Sequence, residues 1–266
     1  MAETRKIVSV SESISNWKGK ILKRTKLEEY NWRKNRKDHC LFFGLYRPRD
    51  WLKFLVHRGQ RTVYWCGSDV LQVGILFRLF QKISAHHICE NEVEQGILRL
   101  LLQQEVEVQT IFLSDPDEFP ISYKRSDTPH VWMHINANAG LESGFPTLLR
   151  IAPRCTDITF HVYGRLREPM ILHNIVFHGW VPEDQFNEEI KNYQCGWRAH
   201  EFDGSSEVVM KSILMGQYPI SRIRYYGIPT YESDWDLIAH FASLKYRFRS
   251  NPMNEYYREL FKLWKP

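Results

Sequence analysis

The chain has 266 residues, 43% hydrophobic and 25% charged, with 14 glycines, 12 prolines and a formal net charge of +5. Such a composition can bury a core, which excludes collagen, long coiled coil and wholesale disorder, and the length suits one large α/β domain or two economical ones. The richest apolar run, VLQVGILFRLF, is interrupted by Arg78, so nothing reaches the roughly 18 apolar residues of a bilayer crossing.

Residues 1–38 hold 11 Lys/Arg against 5 Asp/Glu, which concentrates the basicity in one segment. Within it Ile14, Trp17 and Ile21 share a helical face surrounded by Lys18, Lys20, Lys23 and Arg24. That pattern suits a peripheral contact with an anionic membrane surface, or a solvated basic helix capping the fold. Ile7 to Val10 is shorter than the roughly 7 to 15 residues of a signal-peptide core, so the expected location is the cytoplasm, with the inner face of the membrane as the peripheral alternative. No zinc-finger, homeodomain or RNP pattern occurs, and nucleic acid is not expected as a partner. The five cysteines, Cys40, Cys66, Cys89, Cys155 and Cys195, form no C-x-x-C and read as reduced core residues.

From residue 39 strands and helices alternate, as in parallel sheets with crossover helices. HCLFFGLY, RTVYWCGSD, AHHICEN and VEVQTIFL read as strands; Trp51 to Val56, VLQVGILFRLFQKI and EVEQGILRLLLQQ read as helices. The stretch SDPDEFPISYKRSDTP breaks the pattern with three prolines and marks the boundary. Beyond it HVWMHINA, DITFHVYG, NIVFHGW, CGWRAHEF and YPISRI read as strands. FPTLLRIA, PEDQFNEEIKNY and SSEVVMKSILMG read as helices, with two more at 233–248 and 252–265. The expected fold is α/β, two tandem Rossmann-like parallel-sheet domains: a basic segment 1–38, a first domain 39–118, a linker 119–129 and a second domain 130–266. Ligands in such folds sit where loops leave the carboxyl ends of the strands.

The most informative string is CGWRAHEFDGSSEVVMKSILMGQYPI. Asp203-Gly204-Ser205-Ser206 makes a tight turn into a helix N-terminus, where free N–H groups favour a phosphate-bearing ligand, or where Asp203, Ser205 or Ser206 caps the helix. This segment resembles the donor-binding region of the GT-B glycosyltransferases, specifically the retaining, nucleotide-sugar-dependent group. In that group an acidic residue and a glycine-rich turn precede a helix with a second acidic residue eight positions on, and a Gly-x-Pro-like ending. Matching the ending to Gly216 puts Asp203 at the first acidic position and Lys211 at the second. A lysine has donors only and cannot accept from ribose hydroxyls, so Glu207, one turn earlier, substitutes for it or pairs with it. The string W-R-A-H-E-F-D-G is also similar to an R-x-x-x-H-D-G signature of a short bacterial and archaeal subgroup.

The resemblance implies a glycosyltransferase that moves a sugar, with retention and without a metal, from a nucleoside diphosphate sugar to a saccharide, lipid-linked or protein acceptor. It implies catalytic candidates Asp203, His200 and Glu90, and donor contacts from Arg165 or Arg167, Arg198, Gly204, Ser205, Ser206, Glu207 and Lys211. Trp180 and the backbone of Val181 would face the base. The lysine usual near 136–140 is absent. On the acceptor side W-C-G-S-D supplies Gly67, Ser68 and Asp69, where Asp69 binds an acceptor hydroxyl or caps its helix. His86, His87, Glu90 and Asn91 surround a strand end, without the spacing of a closed metal site. Asp115-x-Asp117 lies in the Pro-broken linker rather than at the strand end where a metal-binding Asp-x-Asp belongs. The alternative to an enzyme is a GT-B-like nucleotide- or sugar-binding protein that has lost catalysis.

Overall fold

The computed structural model describes residues 5–75, 77–135, 144–165 and 172–264. They form two compact units, each built on a wholly parallel sheet. The first takes in the described part of 1–114 together with Phe202–Ser205 and Trp264; the second takes in 115–201 and 206–263.

The first unit contains β1 (Lys6–Val10), β2 (Glu28–Glu29), β3 (His39–Phe43), β4 (Arg61–Tyr64), β5 (His86–Cys89) and β6 (Val106–Val108), in the order β2-β1-β3-β4-β5-β6. Its helices are α1 (Lys18–Thr25), α2 (Pro48–Val56), α3 (Phe77–Phe80) and α4 (Glu92–Leu102). Successive strand residues face opposite sides. Ile7, Cys40, Phe42 and Val63 therefore enter one core, and Val8, Leu41, Phe43 and Tyr64 the other. A sheet buried on both faces reads as short, nearly continuous apolar runs.

Three sequence expectations change here. The basic segment 1–38 does not stand apart: β1 pairs along its whole length with β3, and Ile14 and Ile21 are buried against Leu41, Phe43 and Trp264. The apolar face that a membrane contact would use is taken up by the core. The helix expected over VLQVGILFRLFQKI is a 3₁₀ stretch at Ser68–Ile75 followed by α3, consistent with Gly74 and the β-branched Val70, Val73 and Ile75, all weak helix formers. The strand expected over 106–113 ends at Val108, because Ile111 N donates to Ser205 Oγ at 2.8 Å instead of continuing the ladder.

The second unit contains β7 (His130–Ile135), β8 (Thr159–Gly164), β9 (Ile175–Gly179), β10 (Cys195–Arg198) and β11 (Ile220–Ser221), ordered β11-β10-β7-β8-β9. Its helices are α5 (Phe145–Ile151), α6 (Glu183–Ile190), α7 (Glu207–Leu214), α8 (Asp234–Ser243) and α9 (Met253–Leu263). Helix α7 lies close on β10 at Gly196, where a Cβ would fall 2.8 Å from Ser212 Cβ and 2.9 Å from Val208 O. Gly216, with φ +76°, ends α7 in the left-handed conformation. The strand order reverses between β7 and β10, so the carboxyl ends of these two strands form the topological switch point of this unit.

No helix among the described residues is long and apolar enough to cross a membrane.

Candidate functional site

In the first unit, Asp69, Glu90 and Glu94 are all buried. Asp69 Oδ1 accepts from Cys66 N at 2.9 Å and Oδ2 from Leu45 N at 3.0 Å. With both oxygens occupied it anchors two loop backbones, and the Val70 and Asp69 N–H groups at the start of its own helix also face the carboxyl, in line with the capping reading. Burial raises its pKa to about 7 against those opposing N–H bonds. Glu94 Oε2 accepts from Glu90 N at 2.8 Å, while its buried Oε1 meets no hydrogen-bond partner among the described residues. Burial pushes both glutamates up, Glu90 raises Glu94 further, and Asp69 and Asp203 add to the effect on both.

The turn at Asp203 to Ser205 is bound into this acidic cluster. Glu90 Oε2 accepts from Ser205 N at 2.8 Å, and Asn91 Nδ2 donates to Asp203 O at 2.7 Å. Ser206 N, in the second unit, donates to Tyr225 Oη at 3.2 Å. The N–H groups of Ser205 and Ser206 are thus already satisfied, which corrects the expectation that they are free for a diphosphate. Nor does Ser206 cap α7: its buried Oγ makes no hydrogen bond among the described residues.

Glycine at 204 follows from the same packing, since a Cβ there would overlap Glu90 Oε2 and lie 2.8 Å from its Cδ. Gly204→Ala is therefore expected to cost about 2 kcal/mol, the Glu90–Ser205 bond being lost as the carboxyl swings away. Because Glu90→Ala removes the obstacle, the double variant should be less destabilised than the sum of the singles. Additive losses in urea melts would leave the glycine unexplained by Glu90.

His86 pairs with Glu107 at 3.0 Å, whereas the buried His87 accepts from Trp65 Nε1 through Nδ1 at 3.2 Å. Neighbours on a strand point to opposite faces, so the two histidines do not converge with Glu90 and Asn91. Ser68 is exposed and Gly67, with φ +90°, is buried. Asp115 accepts from Asp117 N, and Asp117 pairs with Arg258 and Lys262 at 3.4 and 3.1 Å.

In the second unit, Arg198 ends β10 and His200 follows, both half-buried. Across the switch point stands His134, which sequence reasoning missed. It shares a face of β7 with His130 and Trp132 by the two-residue period, and a polar residue near a strand's carboxyl end was the available signal. Desolvation lowers its pKa first, followed by the Arg198 and Lys211 charges, with Glu207 opposing. Ala199 abuts Gly144, where φ is +76° and a Cβ would overlap that of Ala199.

Lys211 is neither on the surface nor open to solvent, being only 2% exposed. Its Nζ lies 3.1 Å from Asn187 Oδ1, 3.3 Å from Glu207 and 3.5 Å from Glu183. The rings of Phe186 and Phe119 stand 5.4 and 5.5 Å away. Glu207 pairs with Lys211, as one of the two sequence readings has it. Arg165 is exposed at the end of β8, Trp180 is 68% exposed and Val181 half-buried beyond β9. Arg167 and the 136–140 stretch lie outside the described residues.

No protein-family model and no curated protein matches the sequence. Solved structures do match. Anabaena HepE, in complex with UDP and glucose, aligns with 97% of this chain and 96% of its own, at TM-score 0.65 and 7% identity. The apo lipopolysaccharide outer core galactosyltransferase WaaB aligns over 96% of this chain and 77% of its own, at TM-score 0.60 and 11% identity. TarM aligns over 84% of this chain at TM-score 0.59 and 10% identity, and this chain spans about half, 51%, of TarM. The fold is the GT-B fold, with two Rossmann-like parallel-sheet domains.

Proposed function

We propose that the chain is a glycosyltransferase that transfers a sugar from a nucleoside diphosphate sugar to a saccharide, lipid-linked or protein acceptor, with retention and without a metal. The observation that carries this reading is the near end-to-end correspondence with HepE, whose structure holds UDP and glucose. The donor would lie at the carboxyl ends of β7 and β10. There Arg198, with Arg165 at the end of β8, meets the diphosphate; a guanidinium suits phosphate oxygens because its donors form a planar fork. Trp180 and the backbone of Val181 flank the base. Glu207 is the carboxylate left for the ribose hydroxyls, since Lys211 is enclosed. His134 and His200 stand near the sugar, and Gly67 and Ser68 serve the acceptor. Glu90 and Asp203 act by fixing the turn. The leaving phosphate takes the acceptor's proton on the same face, so protein groups chiefly stabilise its charge.

A thermal-shift panel of UDP, GDP, CMP and their sugars tests the donor. One of them should raise the melting temperature by several degrees, since a ligand at 100 times its dissociation constant adds about 2.7 kcal/mol. A flat panel would remove the reading.

A second reading, a nucleotide- or sugar-binding protein without catalysis, is favoured by the enclosed Lys211 and by the satisfied N–H groups of Ser205 and Ser206. It requires a thermal shift with the bound nucleotide sugar left intact.

Peripheral contact with anionic lipid, if made by residues 1–38, rests on their basic side chains alone, at about 1 kcal/mol per residue close to the surface. Co-sedimentation of the full chain with phosphatidylserine vesicles at low salt should then vanish at 0.5 M salt. Salt-independent binding, or none, would exclude this contact. Deleting the segment is no test, because β1 would be lost with it.

A further inference from the structure

Three histidines on adjacent strands of the second unit are joined end to end. His130 Nδ1 lies 2.7 Å from His161 Nε2, His161 Nδ1 lies 2.9 Å from His178 Nε2, and His178 Nδ1 lies 3.3 Å from Glu189 Oε2 on α6. The row runs diagonally from the first residue of β7 through β8 to the penultimate residue of β9. Rings brace it: His161 stacks on Tyr193 at 4.2 Å between centroids, and His178 on Tyr163 at 4.3 Å. Tyr163 Oη donates to Glu189 Oε2 at 2.7 Å and lies 2.8 Å from Tyr193 Oη, while Gln185 donates to Glu189 Oε1 at 2.8 Å. The titratable groups facing the row are therefore Tyr163 on β8, Glu189 on α6 and Tyr193 just beyond α6.

The carboxylate sets the direction. Ionised Glu189 accepts and does not donate, and its charge 3.3 Å away favours the proton of His178 on Nδ1, leaving Nε2 as the acceptor. His161 then also carries its proton on Nδ1, and so does His130, whose Nε2 is left as a lone pair. We propose that this row is a proton relay through the second sheet, with His130 Nε2 as its entry and Glu189 as its exit.

Each step balances. A proton binds His130 Nε2, and the Nδ1 proton of His130 passes to His161 Nε2. The Nδ1 proton of His161 passes to His178 Nε2, and that of His178 passes to the Glu189 carboxylate. Afterwards all three rings are neutral in the Nε2–H form and Glu189 is uncharged, so one proton has crossed three strands without leaving an imidazolium inside. Burial disfavours such a charge: desolvation lowers His130, His161 and His178 alike, His161 to about 3, with Glu189 acting the other way on His178. Burial raises Glu189, but the hydrogen bonds from Tyr163 and Gln185 and the nearby His178 outweigh it and hold the carboxyl below its usual range, so the exit fills only at low pH. The exit, Glu189, is the penultimate residue of α6, the helix that follows Trp180 and Val181.

Side-chain 15N NMR of the full chain tests this. At pH 8 the three rings should be in the Nδ1–H form. On acidification they should change to the Nε2–H form together, at one midpoint, with His161 never an imidazolium. Glu189→Gln, whose amide donates as well as accepts, should release the fixed direction and give mixed tautomers at pH 8; His161→Phe should leave His130 and His178 titrating at separate midpoints. Nε2–H rings at pH 8, or three independent titrations to imidazolium in the unmodified protein, would overturn the relay. If His161→Phe does not fold, the unmodified protein and Glu189→Gln still decide it.

Discussion

Lys211→Glu is expected to lower the melting temperature by about 10 °C near neutral pH. The residue is enclosed, and its ammonium is the cation shared by Glu207 and Glu183. Replacing it with a third carboxylate removes the attraction and adds like-charge repulsion in a poorly solvated place, on the order of 3 kcal/mol. For a chain of this size each kcal/mol moves the midpoint by roughly 2 to 4 °C. Lys211→Met should cost less, about 1 kcal/mol, because its stem still packs between Phe119 and Phe186 and the two acids, both partly exposed, can turn to water. Acidification should restore part of the loss in the glutamate variant as the crowded carboxylates take up protons. A glutamate variant as stable as the original chain, binding nucleotide more tightly, would instead make position 211 a ribose contact.

Glu94→Gln is expected to stabilise the protein above neutral pH and to change little near pH 4.5. Both Glu90 and Glu94 titrate above the ordinary 4.5 in the folded chain because burial and neighbouring acids disfavour their charges, Asp203 and Asp69 at Glu90 and chiefly Glu90 at Glu94. An acid whose folded pKa is raised costs nothing while both states are protonated. Its penalty appears as pH rises through the unfolded value and grows until the folded pKa is passed. The native chain should therefore lose stability on going from about pH 5 to pH 8. Glutamine keeps an oxygen for Glu90 N and carries no charge, so a gain on the order of 2 kcal/mol, or about 5 °C, is expected at pH 8. Equal melting curves for the two proteins across this range would mean that the acids are not held in their neutral form.

The paired parallel sheets were legible because short apolar runs alternate along the chain with longer runs of helical period. Pro146 and Pro182 at helix starts and Gly216 at a helix end stand where local chemistry puts them. β1 was not legible: KIVSV is a five-residue run among lysines and arginines, and only its pairing with β3 makes it a strand. The site was legible in part. Arg198 closes β10 inside the run expected to be a strand, whereas His200 lies beyond its end, and Glu207 pairs with Lys211 as their spacing allows. The use made of the Asp203 to Ser205 turn was hidden because Glu90 lies more than a hundred residues earlier, and no local signal says whether an N–H at a helix start faces a ligand or a buried carboxyl. The histidine row was equally hidden, its three members being adjacent only through strand register.

Sugar transfer is tested most directly by nucleotide release from the donor that the thermal-shift panel selects. Incubated with that nucleotide sugar, the intact chain should release the nucleoside diphosphate, faster when a saccharide or lipid-linked acceptor is added. Arg198→Ala should cut the rate by at least tenfold while the protein stays folded. Binding of the nucleotide sugar with no release of the diphosphate, under any acceptor, would contradict transfer and leave a binding protein on the GT-B fold.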